Sequence, residues 1–143
     1  MNTPRTLFIL AALLASLTCR PCPAADSWIT VEGLTHTVID DHDVVCVDLD
    51  RSFLPKAHVL THRIPFRTYF DIKPVKAYSG PKRLEPDSKL IDAIRTGYHP
   101  DGRFLRVVID FRLDVPLDFT WAYSKKSHRT CLQIHERREG EQE

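Results

Sequence analysis

The chain has 143 residues, 43% of them hydrophobic and 27% charged, with five Gly, ten Pro and a formal net charge of +1. That length holds one ordinary domain and excludes a large multidomain enzyme. The apolar share excludes a disordered chain, the few glycines exclude collagen, and the near-neutral charge offers no strong attraction to nucleic acid or an anionic membrane.

The opening residues are predicted to lie outside the fold. Arg5 precedes an apolar run over 7–17, too short to cross a hydrocarbon core of ~30 Å as a helix. Pro21, Pro23, Ala24 and Ala25 follow, and a polar stretch begins at Asp26-Ser27. That order describes a secretory signal peptide over residues 1–25, cleaved after Ala24 or Ala25. Leu17-Thr18 lacks the small residue that lipoprotein processing favours before Cys19. No later stretch is long or apolar enough to span a membrane. Cleavage removes Arg5, Arg20, Cys19 and Cys22, leaving 118 residues with 18 Lys+Arg against 19 Asp+Glu, a net charge of −1. The expected location is the periplasm or the exterior. Cys46 and Cys131 remain, and two thiols in an oxidising compartment suit a disulfide.

Along the remaining chain the apolar residues recur almost everywhere with a period of two, the signature of strands with one core-facing side. Short strands are predicted over 28–32 and 34–39, then a turn at Asp40-Asp41-His42-Asp43. The strand over 44–50 turns Val45, Val47 and Leu49 inward, and another covers 67–72. Residues 79–87, with their prolines and Gly80, read as a linker between halves, and 87–94 is the sole helical candidate. A strand over 94–98 leads into His99-Pro100-Asp101-Gly102, where Pro fixes φ and Gly permits a positive one. Then come 103–112, with Leu105, Val107, Ile109 and Phe111 inward, and 116–123, with Leu117, Phe119, Trp121 and Tyr123 inward. The closing strand, 129–135, contributes Leu132 and Ile134, and a charged, frayed tail occupies 137–143. The expectation is an all-β sandwich of eight or nine strands over 26–136, its core built from Val45, Val47, Leu49, Val107, Ile109, Phe111, Phe119, Trp121, Leu132 and Ile134. Cys46 and Cys131 fall on outward faces, so a bridge requires their strands to bring the Cα atoms to ~5–6 Å.

An internal repeat appears at an offset of 62 residues. Val45-Cys46-Val47-Asp48-Leu49 lies over Val107-Val108-Ile109-Asp110-Phe111, and Arg67-Thr68-Tyr69-Phe70-Asp71-Ile72 over Arg129-Thr130-Cys131-Leu132-Gln133-Ile134. The identities are Val45/Val107, Asp48/Asp110, Arg67/Arg129, Thr68/Thr130 and Ile72/Ile134. Two half-domains that cannot bury their apolar faces alone then form one pseudo-symmetric sandwich.

Ile94-Arg95-Thr96-Gly97, the turn Pro100-Asp101-Gly102, Arg106-Val107-Val108-Ile109-Asp110-Phe111 and Val115-Pro116-Leu117-Asp118-Phe119 resemble the AMIN domain. The strongest likeness covers 94–119, and the family's length extends it over roughly 28–135. That resemblance implies a pseudo-symmetric β-sandwich, as the repeat does independently. It also implies a non-catalytic module of the kind found on periplasmic N-acetylmuramoyl-L-alanine amidases and type IV pilus secretins, which localises envelope proteins by contacting peptidoglycan.

Chemistry-bearing residues are sparse. Asp40, Asp41, Asp43, Asp48 and Asp50 lack the glycine-punctuated alternation of a calcium loop and read as turn and outward strand positions. His58 and His62 have no evident third ligand, and Pro55 and Pro65 oppose the helix that would align them. Cys131 has His128 and His135 close in sequence, but spacing within one strand does not give the geometry of a catalytic dyad; Asp48, Asp71 and Asp110 supply carboxylates, of which the repeat-equivalent Asp48 and Asp110 read as fold determinants. No catalytic residue, metal or cofactor is predicted. Basic residues instead gather near aromatics: Lys73, Lys76, Lys82, Arg83 and Lys89 around Tyr78, and Lys125, Lys126, His128 and Arg129 after Trp121 and Tyr123. Such mixtures suit glycan strands bearing carboxylates, by stacking on sugar faces and charge-assisted hydrogen bonds. The candidate binding residues are Arg67, Tyr69, Lys125 and Arg129, the two arginines being repeat-equivalent. The expected partner is peptidoglycan, or alternatively an envelope protein complex such as a secretin, pilus or secretion machine.

Overall fold

A computed structural model describes residues 28–60, 66–112 and 115–137. Residues 1–25, expected from sequence to be a signal peptide, His62, and the tail beyond residue 137 lie outside the described residues. Nine strands form two antiparallel sheets: β1 (Val31–Ile39), β2 (His42–Leu49), β3 (Ala57–Leu60), β4 (Arg67–Ile72), β5 (Arg83–Leu84), β6 (Ile91–His99), β7 (Phe104–Phe111), β8 (Leu117–Ser124) and β9 (Arg129–Glu136). One sheet has the order β1-β2-β9-β8 and the other β3-β4-β7-β6-β5. Among the described residues no helix is long and apolar enough to cross a membrane.

The repeat is visible in this order. Exchanging β1 with β6, β2 with β7, β3 with β8 and β4 with β9 converts β1-β2-β9-β8 into β6-β7-β4-β3, which is the second sheet without β5. Register follows. Asp48 pairs with Arg129 across β2 and β9 as Asp110 pairs with Arg67 across β7 and β4, at the offset of 62. For β1 and β6 the offset is 60, because the β1–β2 turn has two residues and the β6–β7 turn four, 100–103. The shorter turn, Asp40-Asp41, takes positive φ at both residues (50° and 62°), as a type I′ hairpin requires. Each half also carries the same β-bulge, between Val31 and Gly33 and between Ile91 and Ala93.

The inner faces meet in one core. Val45, Val47, Leu49, Leu132 and Ile134 from the first sheet pack with Phe70, Ile72, Ile94, Leu105, Val107, Ile109 and Phe111 from the second. Each such side chain is worth about 1.5–3 kcal/mol on burial. Thr68 and Thr130, repeat-equivalent and fully buried, donate their hydroxyls to the carbonyls of His58 and Phe53. Phe119 and Trp121, expected in the core, are only half-buried against it. Their strand β8 ends its sheet, so among the described strands one flank has no neighbour. Trp121 still meets Phe70 edge-on across the sandwich, with ring centroids 5.2 Å apart.

Three local expectations are corrected. The helical candidate 87–94 is instead the approach to β6, where Ser88 Oγ accepts from the N–H groups of Leu90 and Ile91. The bulge turns both Ile91 and Ile94 into the core three positions apart, a spacing that imitates a helix. The linker 79–87 contains β5, a two-residue edge strand on β6. In the β6–β7 turn the positive φ falls on Arg103 (51°) rather than Gly102. Gly102 is needed for close approach, because a Cβ there would lie 2.5 Å from the Phe104 ring.

Cys46 and Cys131 form a disulfide, with Cα atoms 4.0 Å apart. They are direct cross-strand partners of β2 and β9; opposed residues of antiparallel strands lie about 4.5–5.5 Å apart, and this pair is nearer than that and than the separation expected from sequence. Such a bridge belongs to an oxidising, extracytoplasmic environment.

Candidate functional site

Alternation divides β4 and β7 between two faces. Thr68, Phe70 and Ile72 are buried while Arg67, Tyr69 and Asp71 are half-exposed. Along β7, Leu105, Val107 and Ile109 point inward and Phe104, Arg106 and Val108 outward. Cross-strand register sets His58 beside Tyr69, Asp71 beside Arg106, Arg95 beside Val108 and His99 beside Phe104. The outer face of the five-stranded sheet therefore gathers aromatic and charged side chains from four strands.

They form a continuous row. His58 stacks on Tyr69 with centroids 4.9 Å apart and rings 17° from parallel. The Arg106 guanidinium lies 4.3 Å from the Tyr69 centroid and 5.3 Å from that of Phe104. Phe104 stacks in turn on His99 at 4.4 Å. Asp71 holds Arg106 in place by accepting from Nε and Nη2, both at 2.8 Å. His58 comes from β3 and Arg106 from β7, the strands on either side of β4, so the Tyr69 ring is flanked from both sides. Sugar-face stacking, expected from the residue types, is hindered at Tyr69 by these two neighbours. The row offers ring edges, a hydroxyl and N–H donors.

Beside the row sits a second arrangement. Asp110, buried on β7, accepts from Arg95 Nε at 2.5 Å and Nη2 at 2.9 Å. On its other side Arg67 Nε lies 2.8 Å from Asp110 Oδ1, within ion-pair distance but off the hydrogen-bond angle. Hydrogen bonding to Asp110 raises the pKa of Arg95, and hydrogen bonding to Asp71 raises that of Arg106.

The other sheet supplies an internal comparison. At the positions equivalent to Tyr69, Arg106, Phe104, His58, His99 and Arg95 it has Cys131, Val44, His42, Ala122, Ile39 and Thr35. The one outward pairing retained is Arg129 with Asp48, at 2.6 and 2.9 Å. The equivalent sheet forms without such a row, with the Cys46–Cys131 bridge at the positions of Val108 and Tyr69, whereas the Arg–Asp pair recurs in both halves.

Of the four binding residues read from sequence, Arg67 and Tyr69 lie on this face. Arg129 is on the opposite outer face, on β9, and Lys125 is exposed in the β8–β9 turn. The structure does not bring the four together. Tyr78 is half-buried and donates to the Pro81 carbonyl; burial pushes its phenol above the ordinary value. Arg95, Phe104, Arg106 and His99 were not among the predicted binding residues. For Arg95, Arg106 and His99 the signal lay in the repeat's mismatches, outward positions where the other half has Thr35, Val44 and Ile39; Phe104 has a ring, His42, at its equivalent position and carried no such signal.

Other candidates are used up structurally. The Cys131 sulfur is bonded, which removes it as a nucleophile. Asp43 is buried and contacts His36 Nε2 at 2.6 Å, Asp48 holds Arg129, and Asp50 accepts the Thr30 N–H. Among the described residues no group of three metal-ligating side chains converges. A cleft of about 1260 Å³ opens between the β1–β2 turn and residues 87–90. Its lining mixes Asp40, Asp41 and Asp87 with Lys89 and Arg137, and its buried acid, Asp43, is already partnered.

No family model matches the chain, and no curated protein matches it.

Proposed function

We propose that this protein is a non-catalytic module, exported to the periplasm or beyond, that localises to the bacterial cell envelope by binding peptidoglycan. The carrying observation is the outer face of the five-stranded sheet, where Tyr69, Arg106 and Phe104 form a row that the equivalent face of the same molecule lacks. A row that only one of two equivalent sheets displays, on an exposed face, supports a surface kept for a ligand. The disulfide supports export, and the likeness of 94–119 to the AMIN domain supports the envelope polymer as target.

The test is co-sedimentation of residues 26–143 with purified sacculi across a salt series. Binding at low ionic strength that weakens with salt is expected. Protein that stays in the supernatant at low ionic strength overturns the peptidoglycan reading.

A second reading rests on a different observation. The edge strand β3 exposes Val59 and Leu60, and Leu54 just before it is 60% exposed. An open edge with apolar side chains can accept a strand from another protein, as a docking adaptor for a secretin, pilus or secretion complex would. Protein that ignores sacculi but co-purifies with such a complex, and loses that partner on Val59→Lys, would establish this reading instead.

A further inference from the structure

We infer that ligand recognition is one-sided and directed at carboxylates, with Arg95 on the outer face of the five-stranded sheet as the principal donor. This rests on the envelope-binding reading and names the groups that the polymer must present.

The argument begins with charge. Asp110 is one carboxylate held between two guanidiniums, Arg95 and Arg67. Asp71 and Arg106 neutralise each other one row further along. The central ion pairs of this face therefore carry one cation more than they have carboxylates. On the opposite face the equivalent aspartate, Asp48, has one arginine, Arg129. The position equivalent to Arg95 there is Thr35. The surplus charge enters the molecule at Arg95.

Geometry agrees. A guanidinium has five N–H donors in a rigid fork. Arg95 commits Nε and one Nη2 donor to Asp110, and no described residue accepts from its Nη1. Its side chain is 39% exposed, and the bidentate contact holds it in one orientation, so little freedom is lost when a ligand arrives. Arg–carboxylate pairing is the contact that such a fork makes best. The neighbours flanking Tyr69 hinder sugar-face stacking there as the competing mode. The peptide stems of peptidoglycan carry free carboxylates, whereas its sugar faces do not.

The experiment compares native sacculi with sacculi whose carboxylates have been converted to amides by carbodiimide and ammonia. Wild-type residues 26–143 should bind the amidated polymer about fivefold more weakly. Arg95→Thr, which installs the residue of the equivalent position, should lose about the same factor on native sacculi. Arg95→Lys should lose less, and Gln133→Ala on the other outer face should lose nothing. Thermal unfolding checks that each variant is folded, and should Arg95→Thr fail to fold, the amidated polymer gives the answer with wild-type protein alone. Equal binding to native and amidated sacculi overturns carboxylate recognition and leaves the envelope reading standing. A loss with Gln133→Ala as large as with folded Arg95→Thr overturns one-sidedness. If wild type binds no sacculi, the envelope reading fails, and titration of ¹⁵N-labelled protein with poly-L-glutamate decides the inference separately. Shifts confined to β4, β6 and β7 support it; shifts absent, or centred on β1, β2 and β9, overturn it.

Discussion

Cys46 on β2 and Cys131 on β9 face each other directly and are bonded across a sequence separation of 85 residues. β2 belongs to the first half of the repeat and β9 to the second, so the bridge ties the halves together within the four-stranded sheet. In the five-stranded sheet the equivalent partners are Val108 and Tyr69, which meet without a covalent link.

Reducing the bridge, or replacing both cysteines by alanine, should lower stability by about 4 kcal/mol in the chain-entropy model for a loop this long. Urea unfolding with and without reductant measures the loss. Thiol labelling of the unreduced, unfolded protein should detect neither cysteine, and two labelled thiols would show that the bridge is absent.

Asp48 and Asp110 are equivalent in sequence and unequal in setting. Asp110 is buried and accepts two hydrogen bonds from Arg95 beside Arg67, so Asp110→Asn weakens charge-assisted hydrogen bonds and should cost about 2 kcal/mol. Asp48 faces the half-exposed Arg129, and Asp48→Asn should stay within about 1 kcal/mol. Equilibrium denaturation of the two variants checks the ranking, and equal losses would contradict it.

Acid should act through exposed carboxylates. A hydrogen bond from Arg137 holds Asp118 below its ordinary pKa. Asp50 is also lowered: burial pushes it up, but the Thr30 N–H and the Arg51 guanidinium outweigh that. A carboxylate depressed in the folded state stabilises it above the unfolded pKa of about 4, and the contribution disappears as pH falls through the folded value. Urea midpoints between pH 7 and 2.5 should therefore drop below about pH 4, and drop less for Asp118→Asn. Superimposable acid limbs would exclude a role for Asp118.

The repeat was legible because its identities fall at positions with matching structural roles in the two halves. Asp48/Asp110 and Arg67/Arg129 prove to be cross-strand partners, and Thr68/Thr130 are buried hydroxyls bonded to backbone. The strand over 67–72 coincides with β4, and those over 44–50, 103–112, 116–123 and 129–135 lie within two residues of β2, β7, β8 and β9. β3 escaped notice because its four residues are mostly exposed and carry no alternation. The start of β6 reads as a helix in sequence because its bulge shifts the inward residues to a spacing of three.

Amino-acid order alone determined the all-β class, the alternating core, the two-part architecture and the outward placement of both cysteines. Each follows from local periodicity, which a strand expresses whatever lies beside it. Tertiary structure decided which outward residues meet. It paired Cys46 with Cys131, set Arg95 and Arg67 on either side of Asp110, and aligned His58, Tyr69, Arg106, Phe104 and His99 in one row. It also separated Arg67 and Tyr69 from Lys125 and Arg129, by assigning β4 and β9 to different sheets. Those neighbours lie up to 85 residues apart, and strand order and register, set by how two sheets close over one core, decide such contacts.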